Sequence, residues 1–214
     1  MVQIKQGTEA WHGQRSNRIT GTRQPKTAHE CQFTKGDQWE ALGRDMYREA
    51  NKMSQDPFPQ FAMFAMKHGT DSEPFALATL KSMGYKISQP SFVIHPKHEW
   101  MGISPDGIMV EGRNGKVSAV EVKCPQGKPV SDVKDQKRNY WHQMQMAMEC
   151  MDIEEMLFFQ WYNDEEHYQE WVERDPKWAE VYIPKAKEFM DWYNEKKLDP
   201  DYIERWSQEK EEPG

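Results

Sequence analysis

Hydrophobic and charged positions alternate along Ser118-Ala119-Val120-Glu121-Val122-Lys123, so Ala119, Glu121 and Lys123 share one face and Val120 and Val122 the other. That period of two predicts a strand. Upstream, Ile103, Ile108, Met109 and Val110 are strand formers, and Asn114-Gly115 is a hairpin-turn signal, so residues 102–123 read as a β-hairpin. Further strands are expected near 86–95, 100–110, 155–162 and 167–174. A helical pattern covers 37–53, 60–83 and 131–150, and Asp175-Pro176 opens a last helix to about residue 197. Gly69 or Pro74 is expected to interrupt the second helix and Gly84 to cap it, while Pro184 should bend or divide the last. Helices, a run of strands, a helix, two strands and a helix make a central mixed β-sheet flanked by helices, α/β (α+β) in class.

Composition narrows this picture. A mean hydropathy of −0.99 would suit a disordered chain, but 12% aromatic residues supply a core. The 214 residues are read as a single domain, 1–214, with an acidic C-terminal tail near 206–214. The first residues do not form a signal peptide and no run of 18 uncharged apolar residues occurs, so no membrane partner is expected. Cys31, Cys124 and Cys150 are widely spaced and suit reduced thiols rather than zinc or disulfides. The net charge of −7 argues against a nucleic-acid partner only until it is divided along the chain. Residues 1–148 carry five net positive charges and residues 149–214 twelve net negative ones, which leaves room for a basic cleft.

The chemistry sits in the predicted hairpin. A carboxylate and an ammonium on one face of a core strand are costly to desolvate unless a cation or charged substrate compensates them. Ser-Pro-Asp-Gly alone is a good β-turn and Glu-x-Lys alone is equally weak, but here the hairpin can bring Asp106 beside Glu121. Two carboxylates with the Val122 carbonyl make an all-oxygen site for Mg²⁺ or Mn²⁺, and Lys123 can orient or deprotonate a metal-bound water. The combination resembles the PD-(D/E)xK nuclease superfamily, whose core is restriction-endonuclease-like.

The N-terminal stretch sharpens the resemblance. Trp11-His12, Arg15 and Ile19-Thr20-Gly21-Thr22 are similar to the N-terminal signature of the lambda-type phage exonucleases, the YqaJ-like viral recombinases. Gly69 to Glu73 matches that family's G-x-x-x-E helix, and Ser-Pro-Asp-Gly, Glu121 to Pro125, and Gln143 with Gln145 follow in order. Pro74 and Thr22 depart from the usual pattern, although Thr22 keeps a hydroxyl. The resemblance implies a metal-dependent 5′→3′ exonuclease on double-stranded DNA ends, releasing mononucleotides and leaving a 3′ overhang. It also implies a homotrimer, a single-strand annealing protein as partner, and a phage- or prophage-encoded protein in a bacterial cytoplasm. By the same resemblance Asp106, Glu121 and the Val122 carbonyl hold Mg²⁺ with support from Glu73, Lys123 activates water, and Gln143 contacts that water or the scissile phosphate. Arg15 and Thr22 would hold the 5′-phosphate. Met66 falls where the family places a wedge between terminal bases, although Met and Phe at helical spacing also describe a core face. Lys128, Lys134, Lys137 and Arg138 form a basic run that suits either a solvated face or phosphate contact. Trp161, Trp171, Trp178 and Trp192 are expected in the core or at a subunit interface. Arg15 could instead pair with Glu9 on the surface. An endonuclease of the same superfamily and a non-enzymatic binding module are the alternative classes.

Overall fold

The computed structural model describes residues 7–89, 91–127 and 138–208. Its helices are α1 (Glu9–Arg15), α2 (Gln24–Thr27), α3 (Gln38–Ala50), α4 (Gln60–Ser82), α5 (Arg138–Met151), α6 (Pro176–Lys196) and α7 (Pro200–Ser207). Its strands are β1 (Ile87–Ser88), β2 (Val93–Ile94), β3 (Gly102–Ile103), β4 (Gly107–Met109), β5 (Ser118–Lys123), β6 (Glu155–Trp161) and β7 (His167–Glu173). Short polar side chains start four of the described helices, Thr8 among them at α1. The Asp37 carboxylate accepts from the Trp39 and Glu40 amides, and Asp175 and Asp199 accept from Lys177 and Asp201 ahead of prolines at the first turn.

The main sheet runs β1-β4-β5-β6-β7. Only β5 and β6 are parallel, and the chain between them passes through α5, the crossover that parallel pairing requires. The alternation read from the sequence divides the core in two. Ala119, Met156 and Phe158 pack in the cluster that includes Met144 and Ala147 of α5 and Trp178 and Phe189 of α6. Val120, Val122, Leu157 and Phe159 pack with Ala76 and Leu80 of α4. Glu121 and Lys123 therefore lie on the α5 side.

Several expectations need correction. The strands near 86–95 and 100–110 are each split. Pro105 has no amide to donate, so β3 ends there and pairs with β2 in a separate two-stranded sheet, while β4 pairs with β5. Gly107 permits this close pairing, since a Cβ there would meet Ile87 at 2.4 Å and Val120 at 2.9 Å. Gly115 does turn at φ +70°, but inside a wider loop between Met109 and Ser118 rather than a two-residue hairpin turn. Neither α4 nor α6 is divided. Pro74 and Pro184 face solvent, where water can take up the carbonyls they leave unpaired. Gly84 follows α4 at φ +98°, as a helix-ending glycine should.

Helix α7 lies in the segment read only as acidic. Trp206, the first residue of the expected tail, is fully buried and donates to Glu40 Oε1 at 2.9 Å. It lies over Gly43 of α3, where a Cβ would approach its ring to 2.9 Å. Trp178 is buried, and Trp161, Trp171 and Trp192 pack against the two core clusters. Of the basic run, Lys128, Lys134 and Lys137 and the Arg138 side chain lie outside the described residues, as do residues 131–137 of the expected helix and residues 209–214 of the tail.

Candidate active site

The end of β4 brings Asp106 to β5. Register places Gly107 opposite Val120, so Asp106 falls level with the next step of β5, and its Oδ2 accepts the Val122 amide at 2.7 Å. A residue's N–H and C=O leave a strand on the same side, so the Val122 carbonyl also faces the gap where β4 has ended. Lys123 Nζ binds Glu121 Oε1, and Glu121 is buried. Glu73 reaches the same group from α4, near enough to affect the ionisation of Asp106.

The electrostatics show what this packing costs. Burial pushes the Asp106 carboxyl well above its usual range, and Glu121 and Glu73 add to the rise against Lys123 and the Val122 amide. Glu73 is raised by burial and Glu121, with Lys123 opposing. Burial pulls the Lys123 ammonium down, but Glu121 and Asp106 more than offset it, so it keeps its proton. In this charge environment Lys123 stands as a hydrogen-bond donor, placed to orient a water. Cys124 is pushed up to about 11 by burial, Glu73 and Asp106, which keeps it a thiol. Three carboxylates around one ammonium leave unbalanced negative charge that a divalent cation would neutralise. Among the described residues no three carboxylate, imidazole or thiol side chains converge to enclose a metal. Two carboxylates with a backbone carbonyl remain the available donor set, all hard oxygen and suited to Mg²⁺ or Mn²⁺.

Beside this cluster runs a cleft lined by Arg15, Thr20, Gly21, Thr22, Ile103, Ser104, Pro105, Glu121, Gln143 and Ala147. The N-terminal signature, the Ser-Pro-Asp-Gly turn, Glu121 and Gln143 thus converge from four parts of the chain. Arg15 does not pair with Glu9, which binds Lys52 at 3.3 Å. Its guanidinium instead stacks 4.3 Å from the Trp11 ring centroid. Burial and the neighbouring Arg23 lower its pKa to about 10, with Glu49 opposing, so the pocket favours an anion. Arg23 is neutralised by Glu49 and braces the segment by donating to the Arg15 and Arg18 carbonyls at 3.0 and 2.9 Å. Thr20 and Thr22 hydroxyls lie 3.4 Å apart. Gly21 leaves Gln143 its place, since a Cβ would stand 2.6 Å from Gln143 Cγ.

Sequence reasoning missed Ser104 and half of Trp11. The Trp11 indole N–H donates to Ser104 Oγ at 3.2 Å, leaving the Ser104 proton to turn into the cleft. One tryptophan thus fixes both a guanidinium and a hydroxyl. The only signal was the position of Ser104 directly before Pro105-Asp106. Gln145, paired with Gln143 in the motif, is a structural clamp. Buried, it donates to the Glu173 carbonyl at 2.9 Å and accepts from the Asp175 amide at 2.8 Å. Met66 is not among the cleft residues. At 47% exposure it lies on the free first half of α4 with Phe61, Met63 and Phe64, which rules out the core reading.

A short mixed sheet flanked by helices, with Asp106 before β4 set against Glu121-x-Lys123 on the central strand β5, defines a PD-(D/E)xK-type fold. Residues 10–154 match the YqaJ-like viral recombinase domain, and the chain belongs to that family. The fold is similar to LHK-Exo in complex with dAMP (22% identity, TM-score 0.70, 92% of this chain and 97% of that one). It is likewise similar to the alkaline exonuclease LHK-Exo from Laribacter hongkongensis (21%, 0.69, 92% and 97%). A phage-related exonuclease from Haemophilus somnus 129PT aligns at 11% identity and TM-score 0.60 over 83% of this chain and 94% of that one. No curated protein sequence matches the chain. Among the described residues no helix is long and apolar enough to cross a membrane.

Proposed function

We propose that the protein is a Mg²⁺-dependent 5′→3′ exonuclease that digests linear double-stranded DNA to mononucleotides and leaves a 3′ single-strand overhang. The observation that carries this reading is the single cleft in which Arg15, Thr22 and Ser104 stand with Glu121 and Gln143. A phosphate grip and Glu121 of the carboxylate–lysine cluster share one opening, which suits an enzyme that holds a DNA end while cutting beside it. Family membership and the exonuclease names of the similar structures, one of them bound to dAMP, support it.

In this reading Asp106, Glu121 and the Val122 carbonyl hold Mg²⁺ (Mn²⁺ substituting), and Glu73 supports them. The ion, when bound, polarises the phosphoryl oxygen and supplies hydroxide near neutral pH. Lys123, as an ammonium, donates to the scissile phosphate or to the attacking water and fixes its line of approach. Gln143 holds the same water or phosphate from α5. Arg15 grips the terminal 5′-phosphate through parallel N–H donors, helped by the Thr22 and Ser104 hydroxyls. Each cut makes a new 5′-phosphate, so the grip draws the end forward. A single-strand annealing protein and two further copies of this chain are the proposed partners, in the cytoplasm of a phage- or prophage-bearing bacterium. The exposed apolar end of α4 gives the copies a surface to bury, or gives Met66 access to the terminal base pair.

The test is nucleotide release from linear duplexes carrying 5′-phosphate or 5′-hydroxyl, with and without Mg²⁺, beside a covalently closed circle. Mg²⁺-dependent release from the linear duplexes, faster with 5′-phosphate, and none from the circle are expected. Cutting of the circle would replace the exonuclease reading with an endonuclease, and metal-independent release would remove the metal assignment.

A further inference from the structure

Tyr140 stands on α5 one helical turn before Gln143, so both side chains fall on the same stripe of the helix. The Lys123 ammonium lies 5.1 Å from the Tyr140 ring centroid, inside cation–π range. The same ring leans on Phe158, with centroids 5.8 Å apart at 36°. Phe158 is paired with Glu121 across the β5–β6 ladder. The ring thus rests on the residue beside Glu121 and presents itself to the side chain two positions further along β5.

Lys123 needs such a support. Its stem has four rotatable bonds, and its present partner is the Glu121 carboxylate. That carboxylate is also a proposed metal ligand, and an oxygen drawn toward an ion holds the ammonium less firmly. An aromatic face offers no oxygen to the ion and is not drawn away. We infer that Tyr140 is a positioning residue for Lys123: its ring face keeps the ammonium aimed at the cleft when Glu121 turns to the metal. The contact itself is independent of the nuclease reading, whereas its effect on turnover rests on that reading.

The full-length chain is compared with Tyr140→Phe, which keeps the ring face, and Tyr140→Leu, which removes it. Tyr140→Met serves as the aliphatic variant if leucine compromises folding. In metal-free protein with ¹³C-labelled lysine ε positions, the Lys123 signal, identified by its loss in Lys123→Ala, should be shifted upfield by the ring. The shift should persist in Tyr140→Phe and vanish in the aliphatic variant. With Mg²⁺ and 5′-phosphorylated duplex, the aliphatic variant should lose about tenfold in kcat with KM nearly unchanged, while Tyr140→Phe keeps at least half of kcat. An unshifted Lys123 signal in the wild type overturns the contact. A Tyr140→Phe as slow as the aliphatic variant assigns the effect to the hydroxyl, and a rise in KM with kcat intact makes Tyr140 a DNA contact; either overturns the inference. Wild-type protein that shows the shift but cuts no DNA would retire the nuclease reading and leave the contact standing.

Discussion

Asp106 carries an electrostatic cost from burial and from the carboxylates of Glu121 and Glu73. Its folded pKa lies above its ordinary value of 3.8, so the native chain holds a proton that the unfolded chain has released. Stability from this group is present at low pH and lost as pH climbs from about 4 through the folded pKa. Metal-free Asp106→Asn should therefore melt higher at neutral pH, by about 3–8 °C for some 1–3 kcal/mol, with a flatter pH dependence and no DNA cleavage. Calorimetry across pH checks this, and an unchanged or lower melting temperature would show that Asp106 carries no uncompensated charge. Arg15 obeys the opposite sign. Its pKa of about 10 marks a cation that costs stability at neutral pH until an anion arrives. Arg15→Ala should melt no lower than the wild type, lose the stabilisation that added phosphate gives the wild type, and lose most of the preference for 5′-phosphorylated over 5′-hydroxyl duplex. An undiminished preference in initial rates would move the grip to other residues. The residues that sequence spacing could link, Asp106 with Glu121 and Lys123, were legible because their turn and alternation are local. Ser104 was not, because its meaning depends on an indole 93 positions away in the chain.

Among the elements, those with a long period or a definite start were legible. The Asp caps and the apolar stripes of α3 and α6 announce themselves, and seven-residue β6 and β7 need no help from their neighbours. Strands β1 to β4 are two or three residues long, too short for a period, and are defined only by what they pair with. Helix α7 hid because eight residues rich in charge read as solvated, while one indole, Trp206, attaches them to α3. The meeting of α5 with the segment before α2 is the junction that most directly shapes the cleft. Gly21→Ala would force Gln143 aside, since the new Cβ would stand 2.6 Å from its Cγ. We expect kcat to fall tenfold or more, with a stability loss of only about 1 kcal/mol because the amide can swing toward the cleft. Kinetics and thermal melts on the same preparation decide it. A wild-type rate in the alanine variant would show that Gln143 has no part in turnover.

For the whole molecule, the outstanding surface feature is the first half of α4. Arg44 and Arg48 of α3 hold Asp56 at 2.5 and 2.7 Å and so fix where the chain enters the helix, yet Phe61 is 76% exposed, with Phe58, Met63 and Phe64 exposed beside it. Apolar residues on all sides of a helix end call for enclosure rather than one-sided docking. Covering three such side chains stabilises an assembly by about 4–9 kcal/mol. Light scattering should give a trimer mass for the wild type and a smaller one for the triple variant Phe61→Ser, Phe64→Ser, Met66→Ser. A monomer mass for the wild type would exclude assembly through α4. The parallel β5–β6 pair has another consequence, one of timing. Asp106, Glu121 and Lys123 leave the ribosome before the strand that flanks them, and residues 155–161 must follow before β5 has its second neighbour. Gln143 takes its place over Gly21 only with that crossover, and Trp206, later in the chain, settles after it. A chain that stops short of β6 therefore carries the charges of the site without their alignment.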